Sequence, residues 1–329
     1  MTMTTARRLL LGAGVALAAT LGSSVAGAQS YPTRAITVII PFAGGSASDV
    51  VSRIMFDKMS KSMGQPIIVE NRPGAGGNSG TQAAARAAPD GYTLVGGGSG
   101  PVAANLALYK NLGYDPEKDF EMISPFAGFT IVVVVSKNLP VKSLKELVDH
   151  AKANPGKLNY GSVGIGSSQH LAGEYFSQVT GTKLTHVPYR NIAQYGPDLI
   201  AGQVPVGFQW YPNVAGPIGA NGAIPLAVAG DNRIPALPET PTSTEAGMPQ
   251  YKVNGWFALL APAGTPKPIV EKLSKEMKAA LDDPQVKKGF DGAGAEPMYI
   301  PLDKVKKFHR DEIVKYRDII TKAGIPQIE

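Results

Sequence analysis

The chain has 329 residues, a formal net charge of +6, a pI near 9.2 and no cysteine. The lack of cysteine excludes disulfides, thiolate metal sites and a cysteine nucleophile. Lys and Arg are interspersed with acidic residues and form no basic block, so the composition gives no support to a nucleic-acid partner; what remains is a modest positive field that suits small anions.

In chain order, Arg7 and Arg8 precede an apolar stretch from Leu9 to Leu21, and Ala26-Gly27-Ala28 follows. A charged start, a short apolar segment and small residues at an A-x-A site describe a secretory signal peptide. Residues 1–28 are therefore expected to be removed, leaving a mature periplasmic protein from Gln29. The apolar stretch falls short of the about 20 residues of a membrane span. The arginine pair is compatible with either general or twin-arginine export. Without a cysteine at the cleavage site, a lipid anchor is excluded.

Strand-like and helix-like segments then alternate, which predicts an α/β fold. Ala35 to Ile40 is a β-branched strand, and Pro41 to Ser48 a turn. Asp49 to Met63 carries apolar residues at helical spacing, with Ser46 or Ser48 as cap and Gly64 as stop. Pro66 to Glu70 is a second strand, Asn71 to Gly80 a glycine-rich loop and Thr81 to Ala88 a helix. Tyr92 to Gly96 is a third strand ending in the loop Gly96 to Ser99. Thr130 to Ser136 is a strongly apolar strand, and Ser143 caps a helix. Leu158 to Gly161 is a strand, Gly164 to Ser168 a loop and Gln169 to Thr180 a helix. Thr185 to Pro188, Val204 to Gln209, Ile224 to Ala229 and Trp256 to Ala261 complete the strands. Thr265-Pro266 reads as a cap and first helical residue, and a last helix covers Leu302 to Ala323.

The motifs of common chemistries are missing. His150, His170, His186 and His309 are far apart in sequence and fit no metal spacing. The Gly161 to Ser168 segment lacks the lysine of a phosphate loop, and Pro101 spoils a nucleophile elbow at Ser99. No enzyme and no cofactor is expected. What recurs is a strand, a glycine-serine loop and a helix start, at Ile40 to Asp49 and Tyr160 to His170, with Gly96 to Ser99 of like composition. Helix N-termini present unpaired N–H groups and partial positive charge, so they suit carboxylates. Each loop alone also reads as an ordinary strand-to-helix turn.

Several motifs carry a specific resemblance. Tyr31-Pro32-Thr33-Arg34, Pro41-Phe42 with Gly44-Gly45 and Asp49, Val69 to Gly77, Ala88 to Leu94, His186 to Tyr189 and Leu260 to Pro266 resemble the Bug family, the extracytoplasmic receptors of tripartite tricarboxylate transporters. The resemblance covers essentially the whole mature chain. It implies a type II periplasmic binding protein fold, two α/β lobes with a ligand cleft between them. Residues 29–131 and 256–329 would form the first lobe and 132–255 the second. It also implies a monomer that captures a small carboxylate and hands it to a two-component membrane permease. A sensor subunit for a membrane kinase, or a hydrolase or isomerase in the same cleft, are the alternatives.

By position, Phe42, Ala43, Gly44, Gly45 and Ser46 match the family's first-lobe ligand loop, and Ser99 the third-strand loop. Gly166, Ser167, Ser168 and His170 match the second-lobe loop and helix start, and Arg190 and Asn191 follow the Val-Pro-Tyr motif. His170 reads either as a ligand contact or as a core or capping histidine, and Arg190 either as a ligand contact or as a surface ion-pair member. Where many relatives carry aspartate, this chain has Gln209, followed by Trp210. An amide there can donate to a second ligand carboxylate, which predicts a dicarboxylate. Trp210 would pack on the ligand body or in the lobe core.

Overall fold

A computed structural model describes residues 31–322 and 324–329. The signal peptide expected at residues 1–28 lies outside the described residues. Residues Arg34–Glu329 form one compact unit.

The first lobe opens with β1 (Ile36–Ile40), α1 (Ala47–Met63), β2 (Ile67–Asn71), α2 (Asn78–Ala85) and β3 (Thr93–Gly98). A wide helical turn over Gly100–Ala104 runs into the short α3 (Asn105–Leu108), followed by β4 (Phe120–Thr130). The second lobe contains β5 (Val132–Ser136), α4 (Leu144–Ala153), β6 (Asn159–Ser162), α5 (Ser168–Thr180) and β7 (Thr185–Pro188). It continues with α6 (Tyr195–Ala201), β8 (Val206–Gln209), α7 (Tyr211–Gly219) and β9 (Ala223–Val228). The chain then returns to the first lobe through β10 (Asn254–Pro262), α8 (Lys267–Asp282), α9 (Pro284–Gly292), β11 (Ala295–Pro297) and α10 (Leu302–Lys322).

The two sheets have the orders β11-β4-β10-β3-β1-β2 and β7-β6-β8-β5-β9. β1 pairs in parallel with β2 and β3, and β6 with β7 and β8. Such parallel centres are covered on both faces, which explains why β1 is a β-branched run with Ile36, Val38, Ile39 and Ile40 all buried. β4 passes into β5 through Ile131, and the chain comes back through Val253 into β10. Backbone bonds from Ile131 N to Val253 O (3.1 Å), Val253 N to Ala229 O (2.9 Å) and Ala229 N to Ile131 O (2.7 Å) bind these crossings together.

Several expected boundaries move for identifiable reasons. Gly96 to Gly98 are not a loop: β3 extends through them and pairs antiparallel with β10. A Cβ at Gly96, Gly97 or Gly98 would strike Ile40, Val102 or Phe257 at 2.4–2.8 Å, so the glycines make room for side chains of neighbouring elements. Thr265 does not cap α8; its hydroxyl donates to Pro262 O at 2.7 Å, and the cap position falls to Pro266. α2 starts at Asn78, inside the expected loop. β4, α6, α7 and α9 carried no expectation from sequence. No helix among the described residues is long and apolar enough to cross a membrane.

Candidate functional site

The first-lobe loop joins β1 to α1. Ser46 takes the cap position of α1, but its hydroxyl pairs with Ser48 Oγ at 2.9 Å and accepts from no first-turn N–H. The brace is Asp49 instead. Its carboxylate accepts from Gly45 N (2.9 Å), from Asn71 Nδ2 (2.9 Å) and from Arg53 Nε (3.0 Å). Burial alone would raise the Asp49 pKa, but these bonds and the Arg53 charge hold it below the ordinary carboxylate value. Asn71 also donates to Phe42 O at 3.0 Å, so one acidic side chain and one amide fix the loop. Ala43 is half-buried, and Gly44 and Gly45 are exposed. Phe42 is buried against Phe257 in an edge contact of 6.1 Å.

The second-lobe loop joins β6 to α5 and is braced by neutral groups. Ser167 caps α5, accepting from His170 N (3.3 Å) and donating to Gly164 O (2.6 Å). His170 Nδ1 accepts from Gly166 N at 3.3 Å, which makes the ring a bare acceptor at that nitrogen. His186 lies against it, ring centroids 4.4 Å apart, and shares a 2.6 Å hydrogen bond with Ser162 Oγ. Burial lowers His170 to about 4. Burial, then the neighbouring His170, lowers His186 to about 3, so both rings are neutral near pH 7. His170 thus meets the Gly166 backbone of its own lobe.

The two loops meet across the cleft. Ser99 Oγ and Ser168 Oγ share a 3.0 Å hydrogen bond between the lobes, and Tyr109 donates to Ile165 O at 3.2 Å. The Gly100 backbone approaches the Gly166 carbonyl so closely that a Cβ would stand 2.5 Å from its oxygen. Beside these contacts lies a cavity of ≈ 660 Å³ lined by Pro73 to Gly76, Ser79 and Tyr109 from one lobe and Val163 to Ile165, Pro188 and Arg190 from the other. Arg190 is the one charged residue among these lining residues.

Of the expected contacts only Arg190 lines this cavity; Phe42 to Ser46, Ser99, Gly166 to Ser168 and His170 lie in the adjoining loops, and Gln209, Asn191 and Trp210 are engaged elsewhere. Gln209 is fully buried and does not line the cavity; its Nε2 donates to Gly161 O (2.8 Å) and its Oε1 accepts from Asn213 Nδ2 (3.0 Å). A buried amide must place both its donor and its acceptor, and the neighbouring backbone and Asn213 take them. Asn191 is exposed, and its Oδ1 accepts from Ala193 N, closing a local turn. Trp210 packs in the interlobe core, stacked on Phe129 (5.0 Å) and edge-on to Phe257 (4.8 Å). Its Nε1–H is buried and has no hydrogen-bond acceptor among the described residues. Asn213 and Tyr109 bridge the lobes, Asn213 accepting from Ala47 N at 3.0 Å, and carried no expectation from sequence, since their partners across the cleft lie 166 and 56 residues away.

Residues 51–325 match the family described as the tripartite tricarboxylate transporter family receptor. The chain belongs to the Bug family of these receptors. Among relatives it is 33% identical to protein BugT of Bordetella pertussis, covering 96% of this chain and 98% of BugT. Among solved structures, Rpa4515 of R. palustris with adipate is 34% identical at a TM-score of 0.87, covering 91% of this chain and 100% of that one. MatC (Rpa3494) from Rhodopseudomonas palustris with bound malate is 31% identical at a TM-score of 0.80, covering 88% and 100%. The receptor accordingly has the periplasmic binding protein fold and is a solute-binding protein, not an enzyme.

Proposed function

We propose that this receptor captures a small dicarboxylate in the cleft between its lobes, residues 29–131 with 256–329 and residues 132–255. It would do so in the periplasm, after removal of residues 1–28, and deliver the ligand to a two-component membrane permease. The observation that carries this reading is the cavity of ≈ 660 Å³, apolar and glycine-rich, with Arg190 its one charged lining residue. A carboxylate at one end of a ligand pairs with that guanidinium, the fork geometry suiting two oxygens. The other end meets the backbone of the glycine-rich turns that line the same cavity, Gly74 to Gly76 and Gly164 to Ile165. The adipate and malate carried by the two structural relatives are both diacids, which supports the ligand class. In this reading Arg190 meets one anionic end, while Gln209 is engaged by Gly161 and Asn213.

Thermal unfolding of the mature chain against succinate, malate, adipate, citrate, terephthalate, aspartate and benzoate tests the reading. A ligand that binds only the folded state raises the melting temperature by mass action. Diacids should shift it, benzoate should not, and Arg190→Ala should shrink the diacid shift. Equal shifts with benzoate, or a diacid shift untouched by the variant, would sink the two-ended site.

A further inference from the structure

We propose that Asn213 is an interlobe latch that closes this receptor through a bond of its own. The inference rests on the cleft reading above and concerns how the two lobes are held together. α1 begins in the first lobe, and the N–H groups of its opening turn have no intrahelical acceptor. One of them, Ala47 N, donates at 3.0 Å to Asn213 Oδ1 in the first turn of α7, which belongs to the second lobe. The direction of this bond is fixed by a chain of amides. Gly161 O can only accept, so Gln209 must turn its Nε2 toward it. Gln209 Oε1 then faces Asn213, which must present its Nδ2 there and its Oδ1 to Ala47. A flip of either carboxamide would set donor against donor or acceptor against acceptor.

The Asn213 oxygen holds the position at which a helix N-terminus attracts an anion. It supplies a neutral acceptor in place of a charged one. The closed arrangement therefore has an interlobe bond that no ligand contributes, and a ligand oxygen that takes the Ala47 N–H has to displace a neutral amide. Gln209 acts through Asn213, as the residue that aims it.

The test uses the ligand-free mature protein, dialysed from denaturant to strip any carried-over solute and refolded. Small-angle scattering and amide exchange are compared for the wild type, Asn213→Ala and Asn213→Ser, with far-UV circular dichroism confirming that each has refolded. Serine keeps a polar side chain at the same turn but cannot reach Ala47. In both variants the radius of gyration should rise, and the Ala47 amide should exchange at least tenfold faster. An unchanged radius of gyration, or an unchanged Ala47 exchange rate, overturns the latch. Failure of every carboxylate to shift the melting temperature would count against the proposed ligand class and leave this ligand-free comparison standing.

Discussion

The two cleft loops are built on one plan and braced by opposite means. From β1 to α1 the brace is ionic: Asp49 collects Gly45 N, Asn71 and Arg53, and Arg53 sits at the surface. From β6 to α5 it is neutral: Ser162, Ser167, His170 and His186 hold the loop with hydroxyls and uncharged imidazoles. A helix N-terminus only needs its preceding loop to be held; the chemistry of the brace is free to differ. What the difference sets is how each half of the cleft responds to acid.

Acid should therefore separate the two halves, with the largest effect. The folded-state values of His170 and His186 lie below the ordinary 6.5, so the unfolded chain binds protons first. The stability of the neutral pair is complete above pH 6.5 and is lost as pH falls toward 4 and then 3. Between pH 7 and 4 this should cost about 3 kcal/mol for each ring, about 6 kcal/mol for the pair, one pKa unit being worth about 1.4 kcal/mol. Asp49, lowered from 3.8, stays ionised throughout that range. Urea unfolding across the range, repeated on His186→Gln, checks it: the variant should lose much of the slope, and parallel curves would refute the histidine brace.

Asp49→Ala should break the other brace at neutral pH. Gly45 N–H, Asn71 and Arg53 lose a charged acceptor, at a cost of about 2 to 3 kcal/mol in urea unfolding. A cost below about 0.5 kcal/mol would place that brace among the inconsequential surface pairs.

Gly100→Ala sharpens the comparison by acting only where the loops meet. Its Cβ would stand 2.5 Å from the Gly166 oxygen, and Gly100 has no positive φ that would itself strain alanine. Diacid affinity should fall about tenfold, roughly 1.4 kcal/mol, by titration calorimetry, while circular dichroism stays that of the wild type. Undiminished affinity would mean that the close approach is not part of the bound form. The smallest effect is expected from Ser167→Ala, which removes the α5 cap bond to His170 N and should cost about 1 kcal/mol in the same unfolding assay.

Much of this receptor was legible from local pattern. The strand Ile36–Ile40, the stop at Gly64, the Ser143 cap and the helix from Leu302 follow from β-branched runs, a left-handed glycine, a hydroxyl reaching Glu146 N and apolar spacing. The two loops were visible because glycine, serine and a helix start lie together in sequence, and the motifs around them are dense enough to name the family. β4 was not visible, since its buried face includes Ser124 and Pro125 and its strand character comes from pairing with β10 and β11.

The sequence alone determined the α/β class, the family and the two glycine-serine loops, because each depends on residues near one another in the chain. Tertiary structure decided what the side chains at those loops do. Gln209 faces Gly161, His170 holds Gly166, Trp210 stacks on Phe129, and Asn213 crosses to Ala47. In each case a buried polar or aromatic group takes the partner that packing brings within reach, and most of those partners lie tens to hundreds of residues away, where no local pattern records them.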